Sequence, residues 1–564
     1  MRFVRSVIFG LFIVSLGVAL SQVTTCAADP AAKVDRAAFE REWNARRRER
    51  LTLVPVPVAP PTVEPAVSNP IDRFIVAGWS KLPAKERTPA LCDDATFARR
   101  VYLDIIGTIP PPTELGKFLL DKSPQKREKL IDALLARNVE YAAHWAPFWE
   151  DALASQHVTT QGGIPTHGNY RDWIMQAFVQ NRPYDLFVAE LIDPTMPGRR
   201  ESIEQEIFGI KYAIGYVRND THGDTLQTAA NVGQVFFGAS MKCASCHDHF
   251  ENAEWTQERF LGFASLFAPH DLEKIRCEVK TGTRIQGKFP YDLPSAAQSR
   301  VAPSTPPLDI GARLHETALQ IVDPANPRFA TTIVNRLWKR YLGLGLIEPV
   351  DDVRDASQTT HPELLAWLAH DFLSHDCDLK QTIRLILTSR TYQLKYDPQL
   401  EDQFEITQRD AARYFRSPSL RRLTCEQFLD SVRVATTGQI AAGERTFLDS
   451  RSTALMRALG RPATRNEIIT ARPDERAVMP ALELLNGPEL AELIDTNLSF
   501  GKPLPKTNLP ATVDQLYRKV LSRPASNDEK RLGAQFLQGY PTVNDGVRDL
   551  YWALLVSPEF QYIH

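Results

Sequence analysis

Asp93-Asp94-Ala95-Thr96-Phe97-Ala98-Arg99-Arg100-Val101-Tyr102-Leu103-Asp104-Ile105-Ile106-Gly107 reads as a capped helix. Asp93 or Asp94 can supply the N-cap oxygen, and Phe97, Val101, Leu103 and Ile105 form its apolar set. Pro110-Pro111-Pro112 breaks the chain, and a second helix starts at Pro112 or Thr113 and runs through Phe118-Leu119-Leu120. Ser123-Pro124 opens a third, with Leu130, Ile131, Leu134 and Leu135 on one face. Two more helices, at 170–179 and 184–191, are divided by Asn181-Arg182-Pro183. Further helical segments are expected at 326–342, 361–374, 378–392, 423–437, 476–495, 511–522, 525–539 and 547–556. Between them, the stretch from Cys277 to Phe289 alternates and carries glycine at turn positions, which predicts a small hairpin. Val301 to Pro307 reads as a linker. The expected fold is mainly α, with helical domains at 70–270 and 311–564 joined by a short β-hairpin and loop region at 271–310.

The ends and the charge narrow the class. Met1-Arg2-Phe3-Val4-Arg5, an uncharged apolar run from Val7 to Leu20, and Cys26-Ala27-Ala28 have the layout of a secretory signal peptide over 1–28. The thiol of Cys26 follows a threonine, a poor context for a lipoprotein. Export to the periplasm or beyond is therefore expected. No later stretch reaches about 18 uncharged apolar residues, so no transmembrane span is expected after cleavage. Residues 29–69 hold a basic helix and the proline-rich linker that begins at Val54-Pro55-Val56-Pro57. Arg46-Arg47-Arg48-Glu49-Arg50 is expected to be a solvated helix face, and a net charge of −2 argues against nucleic acid as partner.

Cys243-Ala244-Ser245-Cys246-His247 carries the chemistry. This is the C-x-x-C-H pattern of c-type haem attachment, in which two thiols become thioethers and the adjacent imidazole binds the iron. With 7 cysteines and 12 histidines in 564 residues, chance gives such a pattern only about 0.002 times, so coincidence is a poor account of it. The reading calls for one covalent haem c held by Cys243, Cys246 and His247. His222, within Arg218-Asn219-Asp220-Thr221-His222, is the candidate sixth ligand. Met241 is too near the first thioether to cross the haem plane. His249 is suited to a propionate or a backbone group, and Arg218 or Trp255 to a propionate. The sequence names neither the redox partner nor the substrate.

An alternative is a Zn²⁺ site made by Cys243, Cys246 and either His247 or His249, completed by His222, His270 or Cys277, with Asp248 as orienting group or base. Such a site would suit an exported hydrolase. The carboxylate pairs Glu150-Asp151 and Asp351-Asp352 are not ready dyads, because neighbours on a helix diverge by about 100°; helix-end or surface charge is expected there. No G-x-S-x-G, H-E-x-x-H or phosphate-binding loop is present. A third reading is a non-catalytic scaffold that docks an electron partner or a surface protein through Trp338, Trp367, Arg336, Arg340, Arg384 and Arg390. Cys92, Cys277, Cys377 and Cys425 leave disulfide pairing open.

Several phrases go beyond composition. Ile71-Asp72-Arg73-Phe74-Ile75, the Phe97–Gly107 phrase, Tyr170-Arg171-Asp172-Trp173-Ile174, Arg182-Pro183-Tyr184-Asp185-Leu186-Phe187 and Cys243-Ala244-Ser245-Cys246-His247-Asp248-His249 resemble domain-of-unknown-function family 1549, known mainly from planctomycete-type bacteria. Val334-Asn335-Arg336-Leu337-Trp338, His361-Pro362-Glu363-Leu364-Leu365, Leu387 to Gln393, Arg421-Arg422-Leu423-Thr424, Leu485-Asn486-Gly487 and the stretch from Trp552 to Phe560 look like partner family 1553. The resemblance implies an exported protein, often with an additional cytochrome c domain, and no settled activity. Residues 29–69 leave no room for that extra domain, so any haem is expected at 243–247. Phe250 stands where relatives commonly have proline or lysine.

Overall fold

A computed structural model describes residues 36–64, 67–80, 82–83, 89–154, 170–193, 196, 225–276, 279–294, 310–354, 359–402, 413–449, 451–465, 467–472, 478–498 and 503–564. Among them are twenty-two α-helices and two antiparallel two-stranded sheets, one pairing Leu272–Arg276 with Val279–Ile285 and the other Arg421–Arg422 with Tyr562–Ile563. The fold is mainly α, as the helical spacing predicts. None of the described helices is long and apolar enough to cross a membrane. The signal peptide, the linker at 301–307 and Cys277 lie outside the described residues.

Met1–Trp43 and Asn44–His564 are separate units. In the first, Arg36 pairs with Glu40 at 2.9 Å, one helical turn on. The helix Arg36–Leu51 runs across the division. In the second unit its basic run is solvated only in part: Arg48 is exposed, pairing with Asp376 at 2.8 Å. Arg47 is buried and pairs with Asp185 and Asp376, each at 2.7 Å, and buried Arg50 pairs with Asp323 at 2.7 Å. The partners lie far along the chain, where local charge patterning does not reach. The proline-rich stretch beyond is fastened by Arg73, which donates to the carbonyls of Pro60 and Pro61.

Within Asn44–His564 the segments expected as two helical domains interlock through buried side chains. Asp93, not Asp94, caps the helix Asp94–Ile105, accepting from Thr96 N at 2.9 Å. Residues 97–105 of that helix are buried all round, charges included. Arg99 donates to the carbonyls of Val520 and Phe560, and Arg100 to those of Tyr392, Leu394 and His564. Asp104 accepts a bidentate pair from Arg421 at 2.7 and 2.8 Å and a hydroxyl from Tyr392 at 2.8 Å. Asp72 accepts from both backbone N–H groups of Arg390 and Thr391. Buried charge is tolerated where each such group finds a partner. Leu103 and Ile109 share one apolar cluster with the helices Cys425–Thr437, Leu509–Val520 and Val543–Leu555.

Elsewhere the boundaries move. The segment 476–495 is two helices, Val478–Asn486 and Pro488–Asn497, broken where Gly487 is extended and Pro488 lacks an N–H. The helix Asn138–Ala152, absent from the sequence reading, is buried on nearly every face and contains Pro147, so it shows no amphipathic period. In the hairpin, Gly282 falls inside the second strand rather than in the turn, next to an irregularity in the register. Cys92, Cys377 and Cys425 are buried free thiols.

Candidate functional site

The helix Thr225–Phe237 delivers the chain to the motif. Its Gly233 lets Met241 lie flat on the helix, since a Cβ there would stand 2.1 Å from Met241 Cε. Gly238, at φ +59°, turns the chain, and a single 3-10 turn follows over Lys242–Ser245, capped by Cys246. With three residues per turn, positions i and i+3 eclipse. Cys243 and Cys246 therefore share one edge, both exposed and both free thiols, while Ala244 between them is buried.

The next turn is held from beneath. Gln257, buried at the start of the helix Gln257–Ser265, donates its side-chain amide to Ser245 O at 3.3 Å and Ile275 O at 2.6 Å. Its backbone N–H donates to Asp248 Oδ1 at 2.7 Å, so Asp248 fixes its own loop against a helix N-terminus. Arg354 pairs with Glu251, and Arg328 with Glu254 at 2.6 Å. Apart from Asp248, these supports were not singled out in the sequence; Thr256, which caps that helix, was the local signal for Gln257.

The two histidines sit in opposite tautomers. His247 Nδ1 lies 2.7 Å from the Asp248 carbonyl. A carbonyl can only accept, so Nδ1 carries the proton and Nε2 keeps its lone pair. His249 Nδ1 accepts from the backbone N–H groups of Asn252, at 3.0 Å, and Glu251, at 3.2 Å. Its lone pair is used internally. The His247 ring is exposed, with its centroid 4.2 Å from that of Phe250, which is 86% exposed. Both thiols, the imidazole and an uncovered aromatic ring are thus all exposed within residues 243–250.

The remaining candidates divide. His222, with Arg218, lies outside the described residues, as does Cys277. Among the described residues no group of three or more His, Cys, Asp or Glu gathers as metal ligands. Trp255 is fully buried under Arg259, so it is a core residue and not part of the rim. Glu150 and Asp151 are buried and paired with Arg171, Arg465 and Arg472, not surface charge. Asp351 pairs with Arg336 at 2.6 Å and Asp352 with Arg354 at 2.7 Å. Trp338 is core.

Residues 70–271 match PSCyt2, protein of unknown function (DUF1549), and residues 313–449 match PSD1, protein of unknown function (DUF1553). The chain carries a DUF1549 region followed by a DUF1553 region. Its thiol and histidine rim lies near the end of the DUF1549 region, and the helices after 449 complete the apolar cluster of the DUF1553 region. No curated protein and no solved structure matches the chain.

Proposed function

We propose that this protein is exported and carries one covalent haem c on Cys243, Cys246 and His247, serving periplasmic electron transfer or haem-dependent redox chemistry. The observation that carries the reading is the shared exposed edge of two free thiols beside an imidazole whose Nδ1–H is committed to the Asp248 carbonyl. That hydrogen bond leaves Nε2 as the ligand atom and is the usual means of orienting a metal-bound histidine. Haem so held supplies a one-electron couple or an open position for a small ligand. Cys243, Cys246 and His247 would anchor it, and the exposed Phe250 beside the His247 ring is apolar surface whose burial would be worth about 2 kcal/mol. The cytochrome abbreviation in the label PSCyt2 supports the same association, and the signal-like residues 1–28 would take the thiols to the compartment where haem attachment occurs.

The zinc reading is left with His247 as its imidazole, because the His249 lone pair is taken by two backbone donors, and among the described residues Cys243, Cys246 and His247 do not gather as a ligand group. Expression with a haem-attachment system in the periplasm tests the proposal. Wild-type protein should retain haem stain on a denaturing gel, and Cys246→Ala should lose it. An unstained wild type holding one equivalent of Zn²⁺ would overturn the haem assignment.

A further inference from the structure

A cavity of about 270 Å³ lies where the helices Asn138–Ala152, Phe329–Leu342 and Cys425–Thr437 meet the short sheet of Arg421–Arg422 and Tyr562–Ile563. That is room for a small molecule. None of residues 241–257 lines it. Its lining is strongly charged, with six cationic side chains against three carboxylates among the described residues. Most of the cations are balanced. Arg421 holds Asp104, Arg472 bridges Asp151 and Glu426, Arg445 meets Asp430 at 2.5 Å, and Lys339 meets Glu348 at 2.9 Å.

Arg340 and Arg422 are not. Among the described residues, neither has a carboxylate within ion-pair distance. Arg422 Nη2 is a buried donor that meets no acceptor. Arg340 lies over the Trp145 ring, 4.2 Å from its centroid, and donates to His144 Nε2 at 2.8 Å. Burial, with the charges of Arg340 and Arg445, holds the His144 pKa well below its ordinary value, so this imidazole offers an acceptor and no further charge. Pro147, Phe148, Leu423 and Ile469 supply apolar wall. Two unbalanced guanidiniums, an unmet N–H and an apolar wall specify an anion with a carbon frame. The planar donor fork of arginine matches carboxylate, phosphate and sulfate oxygens alike.

We propose that this cavity binds a small organic molecule through an oxyanion group, with Arg340 and Arg422 as its charge partners. The test is thermal melting and titration calorimetry of the full chain with benzoate, phenyl phosphate or phenyl sulfate, each compared with chloride at equal ionic strength. At least one probe should raise Tm with the logarithm of its concentration, and which one does so separates a carboxylate ligand from a phosphate or sulfate ester. Arg422→Gln should weaken that binding about tenfold or more. Arg422→Lys, which keeps the charge without the fork, should fall between. Arg384→Gln, at an exposed pair with Asp132 outside the cavity, should bind as wild type. If Arg422→Gln does not fold, the Lys variant and Arg340→Lys carry the comparison. Failure of every probe to exceed chloride, or unweakened binding by the folded Arg422 variants, would overturn the proposal.

Discussion

His247 and His249 stand two residues apart and carry their protons on different nitrogens, because one faces a carbonyl and the other faces two backbone N–H groups. Their substitutions should separate accordingly. His249→Ala leaves two loop donors without their acceptor and should cost about 1 kcal/mol in a denaturant melt. His247→Ala removes an exposed ring and should leave the midpoint within about 0.5 kcal/mol of wild type. In haem-loaded protein the effects should reverse. His247→Ala should change the absorption spectrum even where thioether attachment survives, and His249→Ala should leave it close to wild type. A stability loss confined to His247→Ala would contradict the tautomer assignment. The spacing C-x-x-C-H was enough to find these residues. The tautomers were not legible, because the backbone path after Asp248 sets them.

The helix Asp94–Ile105 makes the same point one level up. Its existence and length followed from apolar spacing and two aspartates, but the cap was undecided between them. Asp93 caps through Thr96 N, while Asp94 lies in the first turn and pairs with Lys126 at 2.6 Å and Arg127 at 2.7 Å. Asp93→Ala should therefore cost about 1 kcal/mol. Asp94→Ala, losing partly exposed pairs, should cost less, about 0.5 kcal/mol. Asp93→Ser should restore most of the loss in the same melts, and equal costs for the two alanine variants would contradict the capping role. Asp94–Ile105 was legible although buried, because an aspartate cap and apolar spacing mark it, whereas Asn138–Ala152 has no side-chain cap at Arg137 and carries Pro147 in its interior.

Across the whole molecule, the mainly α class was legible and the way its parts lock together was not. Arg47 and Arg50 were expected on a solvated helix face, and nothing in the sequence singled out the charges of Arg99, Arg100 and Asp104, yet each is buried against groups far along the chain. That arrangement makes stability depend on pH, and His144 supplies the clearest case. Burial first, then Arg340 and Arg445, depress its pKa in the folded chain from the ordinary 6.5. His564 is lowered as well, by burial and then by Arg99 and Arg100. Below the unfolded pKa the unfolded chain takes up protons that the folded chain refuses, so stability must fall as pH falls through about 6.5. Each such histidine contributes at most about 1.4 kcal/mol per pH unit. Glu426 acts in a lower window. Its burial is outweighed by Arg472, its pKa lies at about 2 instead of 4.5, and its contribution is complete above 4.5 and is lost only as pH drops below that. Between about pH 7 and pH 5 the histidines should therefore dominate. Urea melts across that range should show a falling unfolding free energy for wild type. His144→Gln, which keeps an acceptor for Arg340 but does not titrate, should reduce the slope by up to one proton. A variant with the wild-type slope would place the proton uptake elsewhere and would remove the neutral imidazole from the account of the cavity.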